Sequence, residues 1–381
     1  MAIFQRMLRF RRMQLTKWTS ALLLGLSCFA AKAQVAGGQA AFEYLRMPNS
    51  PHISALGGIN VANTDQDISF ALQNPSLMRE GLHNQIGLNY NSYYAGINIM
   101  NLAYGYHVES IQTSFALGVQ YINYGSFTQT DDIGNVYGDF KANDYAITLA
   151  ASRSYGEHWR YGASLKLANS SLYDKKGTAL LTDVGVTYND TASLWTIGVV
   201  AKNMGVTLRK FNPDNTAEPL PFDLQIGVSK RFKHLPLRLM ATIHHLYEWD
   251  IAYNNPADIT ATNLFGGDTT TSKSASFGDK LFRHFIFGGE LLLGKRVAIS
   301  VAYNDQRRQE LAIPDRKAVS GFSFGAGVYL NKFQVHYARS YYSVAGAYNE
   351  FGLNMCLNKI MGIGKTGDKI NWNKEYEDAW E

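Results

Sequence analysis

From about residue 86 to about residue 357 the chain alternates apolar with polar or small residues at a period of two. In "SFALGVQYINY", Phe115, Leu117, Val119 and Tyr121 share one face, and Ser114, Ala116, Gly118 and Gln120 share the other. "RYGASLKLA", "FDLQIGVSK", "FSFGAGVYL" and "FQVHYARS" repeat the pattern. Such alternation marks strands with one apolar and one polar or small face. About fourteen runs of roughly 8–11 residues are present, the length a tilted strand needs to cross a bilayer. No later run reaches the roughly 18 consecutive apolar residues of a spanning helix, so any crossing uses strands.

The connections sort by parity. Those after the third, fifth, seventh, ninth and eleventh runs read as long, for example "GSFTQTDDIGNVYGDFKAND" and "EWDIAYNNPADITATNLFGGDTTTSKSASFGDK". The ones between them are short: "VESI", "SYGEH", "NDTA", "FKHLP", "GKR" and "NKF". Outer-membrane barrels alternate short periplasmic turns with longer outer loops, whereas a soluble sandwich or propeller has no reason to. The expected fold is therefore all-β: a transmembrane antiparallel β-barrel of about fourteen strands, over residues 86–357. The 23 Tyr and 20 Phe suit aromatic girdles at the two interfaces, and the 34 Gly suit a curved, closely approached sheet.

Residues 1–33 read as a secretory signal peptide: a basic start with Arg6, Arg9, Arg11, Arg12 and Lys17, the apolar "TSALLLGLSCFA", and small residues at Ala31 and Ala33. The alternative of lipidation at Cys28 is disfavoured by the preceding Gly25-Leu26-Ser27. Removing 1–33 takes six of the 36 basic residues and no acid, leaving 30 bases against 31 acids. The high pI is mostly the leader's, and nothing points to a nucleic-acid partner. Cys356 would then be the only cysteine, so no disulfide holds this exported chain.

Residues 34–85 break the alternation. "LGGINVANTDQDISFALQNPSLM" has a turn after Leu56 at Gly57-Gly58, an acidic helix start at Thr64 to Asp67, about two helical turns, and a stop at Asn74-Pro75. With an even strand number both chain ends are expected in the periplasm, and this compact piece is expected as a plug in the barrel mouth. Residues 358–381 are expected as a periplasmic tail.

These residues carry a resemblance. "SALGGINVANTDQDISFALQNPSLM" is similar to the N-terminal signature of fatty-acid-transporter-like barrels. "QYINYGSF", "KNMGVTLRKF", "PLPFDLQIGVSK" and "RVAISVAYNDQRRQEL" more closely resemble the PorQ-like barrels of the type IX secretion system. The resemblance spans about residues 45–357; "FGLNMCLNKI", which lacks a terminal aromatic, departs from the pattern. It implies an outer-membrane protein of a Gram-negative bacterium within the surface attachment complex. Its partners there would be a PorZ-like surface protein, a PorU-like sortase and a PorV-like barrel, beside anionic lipopolysaccharide and membrane lipid. The other reading is a transporter of long-chain fatty acid or other hydrophobic compounds, which requires an apolar path beside the plug.

No catalytic, cofactor or metal site is expected. "GIGKTG" has Lys359 where a phosphate loop needs Gly. "TQTDDIGNVYGD" misses the calcium-loop register. His244 and His245, as neighbours on a strand, would point to opposite faces and share no ion. The inner face is expected to hold a network of opposite charges formed by Lys166, Lys202, Asp223, Arg238 and Glu290, with Gln225, Asn304 and His336. Such a network rigidifies a lumen and anchors a plug, a reading preferred to the alternative of a polar channel. Partner docking is expected on the outer loops at Arg209, Lys210, Trp249, Asp268, Arg307, Arg308 and Arg316.

Overall fold

A computed structural model describes residues 40–212, 218–251, 276–310, 319–343 and 346–361. The strands are β1 Gln85–Ser92, β2 Asn98–Val108, β3 Thr113–Thr130, β4 Val136–Tyr155, β5 Trp159–Leu172, β6 Lys175–Asp190 and β7 Trp195–Arg209. They continue as β8 Asp223–Arg231, β9 Leu237–Ile243, β10 Phe285–Leu293, β11 Val297–Asn304, β12 Phe322–Tyr329, β13 Phe333–Ser343 and β14 Gly346–Cys356. Each pairs with its sequence neighbours, and β1 pairs antiparallel with β14 from Gln85↔Cys356 to Ser92↔Asn349. The sheet is thus a closed fourteen-stranded antiparallel barrel, which leaves no strand edge unpaired.

The barrel is apolar outside and polar inside. Leu88, Phe115, Leu149, Leu165, Ile197, Leu239, Ile299, Val335 and Phe351 stand exposed on its outer surface. Their neighbours in sequence, such as Asn89, Ser114, Thr148, Ser164, Lys166, Thr196, Arg238, Ser300, Gln334 and Glu350, are buried. An apolar belt of this extent is stable against acyl chains and not against water, so the barrel is of the outer-membrane kind. Trp159 packs edge-on against Tyr188, and Lys230 lies over Trp195, at the short-turn end. Phe285 stacks on Phe287, and Tyr303 meets Phe322, at the other. These are the two aromatic girdles. Among the described residues no helix is long and apolar enough to cross a membrane.

Loop parity differs from expectation at two hairpins. The third and fifth connections, loops by sequence, are instead paired: β3 and β4 pair out to Thr130↔Val136, and β5 and β6 pair out to Leu172↔Lys175. Ladder hydrogen bonds need no apolar face, so these hairpins continue past the wall as exposed ribbons. A bulge between Asn123 and Ser126 marks the departure.

Residues 40–84 fill the lumen. The helix expected to span two turns is a single turn, Phe70–Gln73, ended at Asn74-Pro75; a second, Pro51–Ala55, is capped by the Ser50 hydroxyl, which accepts from the Ile53 N–H. That helix stops at Gly57 and Gly58, with φ of 92° and 90°. These values suit Gly alone and let Gly58 N–H reach Ile53 O at 2.9 Å. Wall glycines admit the plug: a Cβ at Gly162 would lie 2.6 Å from the Pro75 carbonyl carbon, and one at Gly198 would lie 2.0 Å from Val61 O. The segment expected as a plug in the barrel mouth runs through the lumen toward both ends. Tyr44 Oη donates to Tyr145 O (2.7 Å), and Ala41 N–H donates to Pro219 O, both near the long-loop end. Residues 64–82 reach the opposite end, where Leu82 O abuts Gly105. The expected leader (1–33), the first residues of the expected plug segment and most of the expected tail lie outside the described residues.

Candidate functional site: the plugged lumen

The five lumen residues expected from sequence are all buried, but they form two clusters, not one. On β5–β8, Lys166 Nζ pairs with Asp183 Oδ2 at 2.6 Å and donates to Asn203 Oδ1 at 3.0 Å. Lys202 Nζ donates to Gln73 Oε1 of the plug at 2.9 Å. Asp223 accepts the His245 backbone N–H at 2.7 Å and the Gln225 amide at 2.6 Å.

The second cluster joins the plug to β9, β10 and β13. Arg238 bridges Glu290 Oε2 (2.9 Å) and Asp65 Oδ2 (2.8 Å) and donates to Asn63 Oδ1. His52 Nε2 meets Glu290 Oε1 at 2.9 Å, its Nδ1 lies 3.6 Å from Asp67 Oδ2, and its ring stacks on His336 at 4.7 Å. Burial alone disfavours the imidazolium, but Glu290, Asp67 and Asp65 outweigh it and push the His52 pKa up to about 10. Burial likewise opposes the Asp67 carboxylate, yet His52, His336 and the Ser69 N–H hold its pKa below the usual range. Ser54 Oγ donates to Glu350 Oε1 at 2.6 Å nearby. Sequence reasoning missed His52, Asp65 and Asp67, reading the acids only as a helix start. The signal available was their position: three ionisable groups in an otherwise buried segment require partners on the wall.

One side of the lumen is apolar instead. At the long-loop end Phe42, Tyr44 and Leu45 pack on Ile99, Ile122, Ala146, Ala168 and Leu181, ringed by Tyr93, Tyr124 and Phe211. Toward the short turns Ile68, Ala71, Leu72, Met78 and Leu82 pack on Ala103, Ala116 and Ala150. Both clusters use β2, β3 and β4. A gap of about 30 Å³ separates them, touched by Leu45, Leu72, Gln120, Thr148, Lys166 and Lys202. A polar cavity of about 530 Å³, lined by Thr64, Gln66, Arg79, Arg160 and Asp190, opens below.

The plug-motif residues Leu56, Gly57, Gly58, Asn74 and Pro75 are buried at the plug's two stops. Asn74 Nδ2 donates to Val61 O at 2.9 Å and its Oδ1 accepts from Ser76, tying the two stops together. Of the loop residues, Arg209 and Lys210 line a groove of about 440 Å³ with Lys175 and Lys176. Trp249 is about half exposed and stacks on His284. Arg308 is exposed, but Arg307 turns inward: its guanidinium covers Gly58, where a Cβ would stand 2.0 Å from Nη2. The helix Asp305–Glu310 that follows β11 folds it back over the lumen. Asp268 and Arg316 lie outside the described residues.

The reading of His244 and His245 as facing apart is corrected. β9 ends at Ile243, and His245 adopts φ 54°, so the alternation of a strand no longer holds. The two Nδ1 atoms face each other at 2.5 Å, both rings buried.

No family profile matches the sequence, and no curated protein matches it. Among solved structures it is similar to a mutant of the TodX monoaromatic hydrocarbon channel, at 13% identity and TM-score 0.46, covering 81% of this chain and 97% of that one. The CymD monoaromatic hydrocarbon channel gives 13% identity and TM-score 0.46, covering 83% and 97%. A Pseudomonas aeruginosa FadL homologue gives 12% and 0.38, covering 76% and 93%.

Proposed function

We propose that this protein passes hydrophobic or amphipathic compounds, such as long-chain fatty acids, across the outer membrane. The observation that carries the reading is the division of the lumen. Ionic pairs hold the plug on the β9–β14 side, while the β2–β4 side offers two stacked apolar clusters separated by a small gap. A charged porin has no use for inward-facing Ile99, Ile122 and Leu181. Residues 41–47 fill the upper cluster, so entry requires their displacement, and Lys166 and Lys202 at the gap would meet an anionic head group. The long connections face outward and the short turns face the periplasm. The test is uptake of radiolabelled oleate by intact cells with and without the protein. Expression should raise uptake, and Phe42→Ala/Tyr44→Ala/Leu45→Ala should raise it further. Equal uptake with and without the protein would end this reading.

A second reading, a docking barrel of a type IX attachment complex, draws on the basic groove. Lys175, Lys176, Arg209 and Lys210 converge there around a single acid, Asp174. That groove suits a phosphate-bearing glycolipid or an acidic protein face. A pull-down from outer membranes in mild detergent separates the two. Large surface proteins and a second barrel in the eluate favour docking, and bound lipid alone favours transport.

A further inference from the structure

We propose that Asp223, His244 and His245 form a site for a divalent transition-metal ion of the zinc type, which ties the root of the longest connection to the start of β8. Two imidazoles and one carboxylate are a donor set that suits zinc and leaves a fourth position for water. One ligand atom from each lies within 4.8 Å of the other two, and all three side chains are buried. His245 Nδ1 stands 2.5 Å from His244 Nδ1 and 4.0 Å from Asp223 Oδ2.

The arrangement is built. Asp223 Oδ1 accepts the His245 N–H and so holds that residue in the left-handed conformation that turns its ring back on His244. Gln225 holds the other carboxylate oxygen, as outer-shell groups commonly hold metal-bound carboxylates. The two Nδ1 atoms face one another at hydrogen-bond distance, and with both ring protons on Nε2 their lone pairs point to one place. Two nitrogens on one tetrahedral ion stand about 3.3 Å apart, so a small rotation of one ring admits the metal. Among the described residues, the other two buried groupings of this type share His52, which Glu290 and Asp67 already engage as an ion pair.

The site spans a structural join. β8 starts at Asp223, β9 ends at Ile243, and residues 244–284 connect β9 to β10. An ion there fixes the base of that connection whatever the barrel carries or binds.

The experiment uses the whole barrel in detergent, purified without a polyhistidine tag and stripped with a chelator. It is loaded with Zn²⁺ alone, or with Co²⁺ alone, and read by elemental analysis and visible absorption. About one ion per chain is expected, with tetrahedral Co²⁺ bands. His244→Gln/His245→Gln should lose that ion, and Asp223→Asn, which keeps the backbone acceptor, should weaken Zn²⁺ binding at least tenfold. Zn²⁺ uptake no greater in the wild type than in the double variant would overturn the proposal. If the double variant does not fold, unchanged Zn²⁺ affinity in Asp223→Asn would overturn it.

Discussion

Gly185 of the wall and Asn74 of the plug touch with no room for a methyl group between them: a Cβ on Gly185 would stand 2.0 Å from Asn74 Oδ1. Asn74 is not free to move away. It donates to Val61 O and caps Ser76, so a push on it is transmitted to both halves of the plug. Gly185→Ala should therefore destabilise the folded barrel by about 1–3 kcal/mol, the usual cost of overpacking. Gly289, whose added Cβ would meet only Leu239 Cδ2 at an ordinary 3.7 Å, supplies the control. Thermal unfolding in detergent should separate Gly185→Ala from Gly289→Ala; equal midpoints would mean the plug is loosely held.

Arg238 is the cation shared by plug and wall. Arg238→Ala would leave Glu290 and Asp65 buried with less compensation, a loss of about 3–5 kcal/mol. Adding Glu290→Gln should recover part of it by removing one stranded charge. Strictly additive effects of the two changes would show that the pair is not coupled.

His52 makes plug retention depend on alkaline pH. Its pKa is raised in the fold, so its contribution is complete below about 6.5, the unfolded value, and is lost as pH rises through about 10. Asp67 acts oppositely: its lowered pKa gives stability present above the ordinary carboxylate range and lost as pH falls through the folded value. Unfolding midpoints followed from pH 7 to 11 should fall in the wild type, and the fall should be smaller in His52→Gln. Parallel curves would remove His52 from the anchor.

The groove of Lys175, Lys176, Arg209 and Lys210 lies on exposed strand ends, where charge changes cost little stability. Reversing Lys175 and Arg209 to Glu should leave the unfolding midpoint within about 0.5 kcal/mol of the wild type. It should also reduce binding of lipopolysaccharide and make the remainder less salt-dependent. Unchanged binding would assign the groove no role with anionic glycolipid.

Tyr44 anchors the upper end of the plug through two wall carbonyls, at 2.7 and 3.2 Å. Tyr44→Phe keeps the ring in its apolar cluster and removes the hydroxyl's hydrogen bond to the wall. A loss of about 1 kcal/mol is expected, with faster protease cleavage near residue 47. No change in cleavage would place the holding force in packing alone.

The strands and their approximate number follow from local patterning alone. Period-two alternation is a local property, each residue's face following from its neighbours, and a run such as "SFALGVQYINY" is already a membrane strand before any partner is known. Loop parity is local as well. Local patterning also located both stops of the plug, since Gly57-Gly58 and Asn74-Pro75 act through their own backbone. Tertiary structure decided what those elements meet. Whether Asp65 starts a helix or binds Arg238, 173 residues away, depends on a contact no local pattern encodes. The same holds for the inward turn of Arg307 onto Gly58. His244 and His245 come face to face because Asp223, at the start of another strand, bends the backbone just where alternation stops. The ribbons above the wall are illegible in sequence for the complementary reason: hydrogen-bonded pairing continues without the apolar face by which strands are recognised.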